Sequence, residues 1–240
     1  MLKFLDYADK IGLKIPANTS VRRWIHNHLA YENKINELWP KPEFYEIISL
    51  AQHHGLPTRA LDWSYDFKVA LYFAVKGILD ENDEDCVLWA FNYKLFENHY
   101  HEYEHENEKL VIYRPEYNIN SNLNAQKGLF TFLTSDDYEE IDDETSFDQK
   151  LIKNLEETKC LNNNFNKVPC YKIDGFEGIE IKDEKIFHKF IISGNLKSKI
   201  LKDLFLDGYA PENICPNYYG VVNAMKKRAR LDNILNDNKS

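Results

Sequence analysis

The chain has 240 residues, 43% of them hydrophobic and 14% aromatic, so it is long enough to bury one substantial core. Its formal net charge of -9 argues against broad electrostatic attraction to nucleic acid as the main source of affinity. No apolar run could cross a bilayer, no secretory signal peptide is visible, and the four cysteines form no Cys-x-x-Cys pair. We therefore expect a soluble, cytoplasmic protein with reduced thiols, no zinc site and no membrane association.

Three helices are predicted in the first quarter of the chain. Two lie on either side of Ile15-Pro16. The third begins near Pro42, because the missing N–H of proline would have no partner in the first turn of a helix. It should end at Gly55, and Pro57 prevents its continuation.

The stretch from Gln52 to Ser64 concentrates more ligand-orienting side chains than any other part of the chain. It places histidine, threonine, arginine, aspartate and tryptophan around a Gly-x-Pro turn, and a helix follows at once. The apolar residues of that helix recur with a period of 3.6 and should form its buried face: Phe67, Ala70, Leu71, Ala74 and Ile78. A polar turn braced by a buried helix is a common way to present a functional site.

Short strands follow at irregular intervals. The almost wholly apolar run at residues 86–91 is predicted to lie at the centre of a sheet. Residues 110–113 form a second strand, and a bend at Gly128 leads into a third. Residues 136–168 are rich in acids and asparagine, which indicates an inserted surface excursion.

Beyond this insertion the sequence predicts a strand at residues 185–192, a helix that ends at Gly208 and a last helix that begins near Tyr218. Helices crowd the N-terminal half and strands are scattered, which favours a mixed α+β domain over a doubly wound sheet. We expect a single domain in which a helical N-terminal part packs on one mixed, mainly antiparallel sheet. Neither a Gly-x-Gly-x-x-Gly fingerprint nor a P-loop is present.

The Gln52–Ser64 stretch resembles the signature of the FRG domain, a family associated with bacteria and phages. The family pattern is Gln-His-x-Gly-x-Pro-Thr-Arg-x-x-Asp-Trp-[Ser/Thr], followed by Ala-Leu-x-Phe-Ala. The matching residues here are Gln52, His53, Gly55, Pro57, Thr58, Arg59, Asp62, Trp63 and Ser64, then Ala70, Leu71, Phe73 and Ala74. Two later segments, residues 125–131 and 189–216, are similar to the family's downstream motifs.

This resemblance divides the chain into an N-terminal helical segment, residues 1–41, and an FRG-like domain, residues 42–240, with the polar, acidic insertion at about 136–168. One feature of the family is missing, because the Phe-Arg-Gly motif that names it does not occur in this chain.

The layout is also similar to an ADP-ribosyltransferase core, in which a strand carrying serine or threonine precedes an Ala-x-x-Phe-Ala helix. The resemblance implies an NAD-dependent ADP-ribosyltransferase-like toxin or phage-defence effector that modifies a nucleic-acid or protein acceptor. NAD would be the substrate, no metal is expected, and an antitoxin or regulatory protein is the implied partner. The alternative is a non-catalytic module that binds a nucleotide or a partner protein.

The resemblance also implies roles for individual residues. In such a core a later strand supplies a Glu or Gln beside the nicotinamide ribose, and Gln126 is the candidate here. Arg59 and His53 would act with it by contacting pyrophosphate or ribose, because guanidinium donors match phosphate oxygens. The residues expected to bind NAD are Gln52, His53, Thr58, Arg59, Asp62, Ser64 and Tyr72.

Structural roles are open for the same residues. Arg59 and Asp62 can pair with each other to tie the turn, while Trp63 and Tyr72 can belong to the core. Gln126 can brace the bend that follows it. As a neutral amide it also cannot stabilise positive charge as a carboxylate does.

Three charged segments have two interpretations each. Residues 99–105 carry three histidines among glutamates, which suits either a divalent cation or a solvated loop. The basic run at residues 226–230 can contact nucleic acid or lie on a solvated helix face. The acids at residues 136–144 form a solvated loop or dock a basic antitoxin.

Overall fold

The computed structural model of the chain describes residues 2–15, 19, 21–24, 40–58, 60–80, 82–99, 108–115, 121–135, 170–174 and 187–236. The acidic insertion at about 136–168 lies outside the described residues, as do Arg59 and the histidines at positions 101 and 105. Over the described ranges the fold is α+β, as expected. None of the described helices is long and apolar enough to span a bilayer.

The elements are named in chain order. They are α1 (Leu2–Lys10), α2 (Tyr45–His53), β1 (Ala60–Ser64), α3 (Phe67–Val75), β2 (Cys86–Phe91), α4 (Tyr93–His99), β3 (Glu108–Tyr113), α5 (Ser121–Gln126), β4 (Gly128–Ser135), β5 (Cys170–Ile173), β6 (Phe187–Ile192), α6 (Lys197–Leu206), α7 (Pro211–Ile214) and α8 (Tyr218–Asn236). Short 3-10 helices extend three of them, at Pro42–Phe44, Lys76–Asp80 and Gly194–Leu196.

The chain divides into two compact units. Unit 1 comprises Met1–Trp63, Glu104–Pro115 and Leu129–Lys153, and unit 2 comprises Ser64–Tyr103, Glu116–Gly128 and Asn154–Ser240. Each is described by itself. The division into residues 1–41 and 42–240 stays a prediction.

Unit 1 contains a three-stranded sheet in the order β1–β4–β3. Strands β3 and β4 are antiparallel, with Val111 opposite Phe132. Helix α2 packs on them, because the Tyr45 ring stacks on Phe132 with 4.7 Å between centroids. Phe44, in the 3-10 helix just before α2, extends this packing, because its ring meets the Trp24 ring edge-on with 4.8 Å between centroids. Helix and sheet thus share one aromatic layer.

The expected limits of helices α1 and α2 agree with the structure. α1 precedes Ile15, and residues 21–24 are helical; the rest of the second expected helix falls on residues outside the described ranges. α2 follows Pro42 and ends in a turn at Gly55, whose φ of +86° is a left-handed conformation that suits glycine.

Unit 2 contains a second three-stranded sheet, in the order β2–β6–β5. β6 pairs antiparallel with β2 and parallel with β5. The expectation of a single sheet is therefore wrong for the described strands. The central position expected for β2 is also wrong among these strands, since β6 occupies it and Val87 on β2 is 42% exposed. An apolar run alone did not distinguish an edge strand from a central one.

The core of unit 2 lies between α3, α6, α7 and α8. It consists of Val69, Tyr72, Val75, Ile78, Leu79, Leu201, Leu204, Ile214, Leu231 and Ile234. The buried face expected for α3 is wrong in part, because Phe67 is 66% exposed and Val69, Tyr72 and Val75 face the core instead. Eight of the nine residues of α3 are apolar, so a period of 3.6 fits more than one face.

The C-terminal helices have the expected limits. α6 is followed by Gly208 at φ +86°, and α8 begins at Tyr218. The strand expected at residues 185–192 is present as β6 over the described residues 187–192.

A buried lysine organises one loop of unit 2. Lys197, at the start of α6, is only 3% exposed. Its ammonium donates to the carbonyl oxygens of Asn82 (2.9 Å) and Glu84 (2.8 Å) and to the side-chain oxygen of Asn82 (3.2 Å). Gly194 lies so close to the same loop that a Cβ would stand 1.5 Å from the Asp83 carbonyl oxygen. The loop is therefore fixed by a cation and a glycine that are distant from it in sequence.

Lys197→Met is expected to lower the free energy of unfolding by about 3 kcal/mol, because the carbonyl groups of Asn82 and Glu84 lose their buried donor. Urea denaturation followed by far-UV circular dichroism measures the change. The matched control is Lys199→Met, exposed on the same helix, which should stay within about 0.5 kcal/mol of the native protein. Equal losses in the two variants would contradict the prediction.

Candidate functional site

Three of the expected ligand-binding side chains form a connected group in unit 1. Gln52, near the end of α2, accepts a hydrogen bond from the Thr58 hydroxyl through Oε1 and donates one from Nε2 to the Asp62 carboxylate at 2.8 Å. Thr58 Oγ1 also accepts from the backbone N–H of Ala60 at 3.2 Å. One carboxamide, acting as donor and acceptor, thus connects the end of α2 to β1. We name Gln52, Thr58 and Asp62 the Gln52 network.

Asp62 is on the solvent side of this network. Desolvation by the surrounding chain raises the pKa of its carboxyl group, and the hydrogen bond from Gln52 opposes that shift. Its described hydrogen-bond partner is Gln52. The expected pairing with Arg59 involves a residue outside the described ranges, so it stays a prediction.

His53 is exposed at the last position of α2. Its ring lies 5.2 Å from that of His54, centroid to centroid. Desolvation, and secondarily the neighbouring His54, lower the pKa of His53 below its usual value of 6.5. The imidazole is therefore mostly neutral at pH 7, so it could meet a phosphate or a ribose hydroxyl as a hydrogen-bond donor rather than as a cation.

Trp63 has a structural partner. Its indole Nε1 donates to the Thr131 hydroxyl at 2.9 Å, and Thr131 is buried on β4. This hydrogen bond joins β1 to the neighbouring strand of the sheet. The contact favours the structural interpretation of Trp63 over a role in stacking on a ligand.

Two further expected site residues meet in unit 2. The hydroxyl of Ser64 donates to the backbone carbonyl of Gln126 at 2.6 Å and accepts from the Asp66 N–H at 3.0 Å. Beside it, the Tyr65 N–H donates to the Lys127 carbonyl at 3.1 Å. The segment that leaves β1 therefore holds the turn at residues 126–127 by two hydrogen bonds to its backbone.

Gln126 is the last residue of helix α5, whereas the resemblance implied a position on a strand. The chain reverses at Lys127, whose φ of +46° is left-handed, and β4 starts at Gly128. The Gln126 side chain turns toward the end of α7, where Nε2 donates to the Ile214 carbonyl at 3.3 Å and lies 3.6 Å from Cys215 Sγ. Burial raises the pKa of the Cys215 thiol, which keeps it protonated at pH 7.

Tyr72 belongs to the core of unit 2. It is buried among the apolar residues of α3, α6, α7 and α8, and this burial raises the pKa of its hydroxyl. Its ring is accordingly packed by the protein itself, which favours the structural interpretation.

Asp66 is a central residue that sequence reasoning missed. Its Oδ1 accepts from the Lys68 N–H at 3.0 Å and caps α3, while Oδ2 accepts from Lys127 Nζ at 2.8 Å and from the Tyr209 hydroxyl at 2.9 Å. Burial alone would raise the pKa of this carboxyl group, but the three hydrogen bonds outweigh it and lower the pKa. An aspartate one residue before a helix is a capping signal, so the first contact could have been foreseen.

Metal coordination finds no support within the part of the chain that the structure describes. No group of three or more histidine, cysteine, aspartate or glutamate side chains is gathered there in a way that could hold a metal ion. The histidine-rich segment at residues 99–105 falls largely outside that part.

These observations define an α+β protein with two groups of candidate site residues, Gln52, His53, Thr58 and Asp62 in unit 1 and Ser64 and Gln126 in unit 2. All of them except Gln126 lie on the connection from α2 through β1 to α3. The FRG domain family model matches residues 8–85, a range that includes this connection in full. The match over these residues confirms the resemblance that the sequence shows to this family. The later segments at residues 125–131 and 189–216 lie beyond the match. No curated protein and no solved structure matches the chain.

Replacing Asp66 by asparagine should make stability less sensitive to acid. The lowered pKa means that the carboxylate stabilises the fold above its unfolded value of about 3.9, and that this contribution is lost as the pH falls through the folded pKa. Asp66→Asn should cost on the order of 1 kcal/mol at pH 7, with the difference from the native protein shrinking below about pH 4.

Urea denaturation between neutral and acidic pH measures this difference. The control is Asp203→Asn, at an exposed position of α6, which should stay within about 0.5 kcal/mol of the native protein at pH 7. A difference between Asp66→Asn and the native protein that stays constant with pH would refute the assigned role of the Asp66 charge.

Proposed function

We propose that this protein is an NAD-dependent ADP-ribosyltransferase-like effector of a toxin or phage-defence system, acting on a nucleic-acid or protein acceptor. The observation that supports the proposal most directly is the 2.6 Å hydrogen bond from Ser64 Oγ to the Gln126 carbonyl. In the core that the sequence resembles, a serine or threonine strand precedes an Ala-x-x-Phe-Ala helix, and a later Glu or Gln approaches the ribose. Ser64 ends β1, α3 follows it, and Gln126 is tied to Ser64.

The reaction requires little acid–base catalysis from the protein. An acceptor nucleophile bonds to C1′ of the nicotinamide ribose, the C1′–N bond breaks with its electron pair moving to the nicotinamide nitrogen, and the acceptor loses its proton. The protein contributes by holding NAD in a bent conformation and by placing hydrogen-bond partners around an oxocarbenium-like ribose. A neutral carboxamide is suited to orienting a ribose hydroxyl.

Gln126 could act in this way at a small cost. Its donor contact to the Ile214 carbonyl is long, 3.3 Å, and its second neighbour is a thiol, a weak acceptor. Exchanging these contacts for a ribose hydroxyl would therefore sacrifice little. Arg59 and His53 are proposed to contact pyrophosphate or ribose, Arg59 as a cation and His53 as a neutral donor.

A non-catalytic module that binds a nucleotide or a partner protein is the second candidate. The observation that favours it is that the proposed ligand-binding side chains already bond to protein atoms. Gln52, Thr58 and Asp62 bond to one another, and the Gln126 amide contacts α7. Such internal bonding suits a rigid recognition surface, which needs fixed side chains and no turnover.

The direct test incubates the protein with NAD labelled in the adenosine moiety and with candidate RNA, DNA and protein acceptors. Label transfer and nicotinamide release are measured, and NAD binding is followed by calorimetry. Arg59→Ala and Gln126→Ala should each reduce transfer about 100-fold or more with unchanged circular dichroism. The matched control is Asn124→Ala, exposed on α5 beside Gln126, which should retain transfer.

The two candidate functions give different patterns in this experiment. For a binding module, Arg59→Ala weakens a ligand while Gln126→Ala has little effect, and no nicotinamide is released. The absence of both NAD binding and transfer at saturating protein would overturn the transferase proposal.

A further inference from the structure

Helix α8 has two apolar faces, and only one of them lies in the core. Leu231 and Ile234 are buried in the core of unit 2. Gly220 approaches the end of α7 so closely that a Cβ would stand 1.9 Å from the Cys215 carbonyl oxygen. The helix is therefore held firmly against its unit along one side.

The opposite side of α8 exposes large apolar side chains over its first two turns. Its members are Tyr218, Tyr219, Val221, Val222 and Met225. Tyr218 is 92% exposed and Met225 is 71% exposed. The outward face of a surface helix is ordinarily polar, so this face departs from the expected pattern.

The spacing of these residues is regular. Tyr218, Val222, Met225 and Ala229 are separated by four, three and four positions, which places them on one narrow line along the helix. This is the spacing of a helix that packs lengthwise against another helix. We name this line the α8 stripe. Tyr218 on the stripe and Tyr219 beside it together present about 300 Å² or more, comparable to the largest apolar patch on a typical monomer.

The α8 stripe changes character along its length. Its N-terminal end is aromatic, its middle is aliphatic, and its C-terminal end is bordered by the exposed cations Lys226 and Arg228. Asp232 pairs with Arg228 at 3.1 Å, one turn farther on. Aromatic faces attract cations, so the two ends of the stripe are complementary to each other.

We propose that the α8 stripe is covered by the same stripe of a second copy of this chain, with the two helices antiparallel. Reversal of one helix sets the aromatic end of each stripe against the cationic end of the other. It places Val222 against Met225 of the second copy near the twofold axis, and Tyr218 against Ala229, whose small side chain leaves room for the ring. A parallel pair would bring the two cationic ends together, which is repulsive.

The area of the α8 stripe limits how tightly two copies can associate. This area is smaller than the surface of about 800 Å² per partner that a standard stable interface buries. The dimer is therefore weak and dissociates on dilution. This inference is independent of the proposed enzymatic function, because neither NAD nor an acceptor enters it.

Sedimentation velocity over micromolar to submillimolar protein concentrations tests the dimer. The native chain of 28.4 kDa should approach twice that mass as its concentration rises. Met225→Glu should stay monomeric at every concentration, because each dimer would bury two carboxylates near the twofold axis. The control is Asn233→Glu, exposed on α8 beyond the paired segment, which should dimerise like the native chain.

Cysteine cross-linking tests the antiparallel arrangement. In this register Val222 lies about 4.5 Å along the axis from its own counterpart, whereas Ala229 lies about 16 Å away. Val222→Cys should thus oxidise to a covalent dimer and Ala229→Cys should not. Native protein that stays monomeric, as it would with an acidic peptide or an anionic surface as the true occupant, overturns the proposal. So does dimerisation unaffected by Met225→Glu, or equal cross-linking at both positions.

Discussion

The Asp66 carboxylate connects three segments of unit 2 that are distant in sequence. One oxygen starts helix α3 by accepting from the Lys68 N–H, and the other holds Lys127 and Tyr209. The ion pair to Lys127 supports the one described residue other than glycine with a left-handed φ. The Ser64 hydroxyl bonds to the Asp66 backbone N–H and to the Gln126 carbonyl, so the backbone of Asp66 is also linked to Gln126. A capping residue thereby becomes the organiser of a candidate site.

Much of the local structure could be predicted because it follows from local chemistry. Glycine and proline mark helix limits through their backbone preferences, which is why Gly55 and Gly208 terminate helices as expected. The predictions that failed concern features that are determined by residues elsewhere in the chain. The edge position of β2 is decided by β6, about a hundred residues later, and the buried face of α3 is decided by α6 and α8. The short elements α5, α7 and β5 carry too few residues for a periodic pattern.

The candidate site likewise combines residues that are close together in the sequence with contacts between distant positions. Gln52, Thr58 and Asp62 lie within eleven positions of one another, so the sequence places them in one polar stretch, but it did not predict the hydrogen bonds that join them. Gln126 and Ser64 were brought together only through a family resemblance, since 62 positions separate them. Nothing local pointed to Tyr209, which reaches Asp66 across 143 positions. Contacts of that range come from packing, which a single sequence does not display.

The loop held by Lys197 has a consequence for how this protein tolerates substitution. The ammonium is bound chiefly by backbone carbonyls, and the side chains of Asp83 and Glu84 are exposed. Every residue type has a carbonyl, so these two positions are free to vary while the loop keeps its shape. The shape of the loop instead restricts substitution at Lys197 and Gly194, each more than a hundred positions away. Among related chains, this acidic loop would diverge in sequence while its geometry persists, and the invariant residues would lie in α6 and the turn before it.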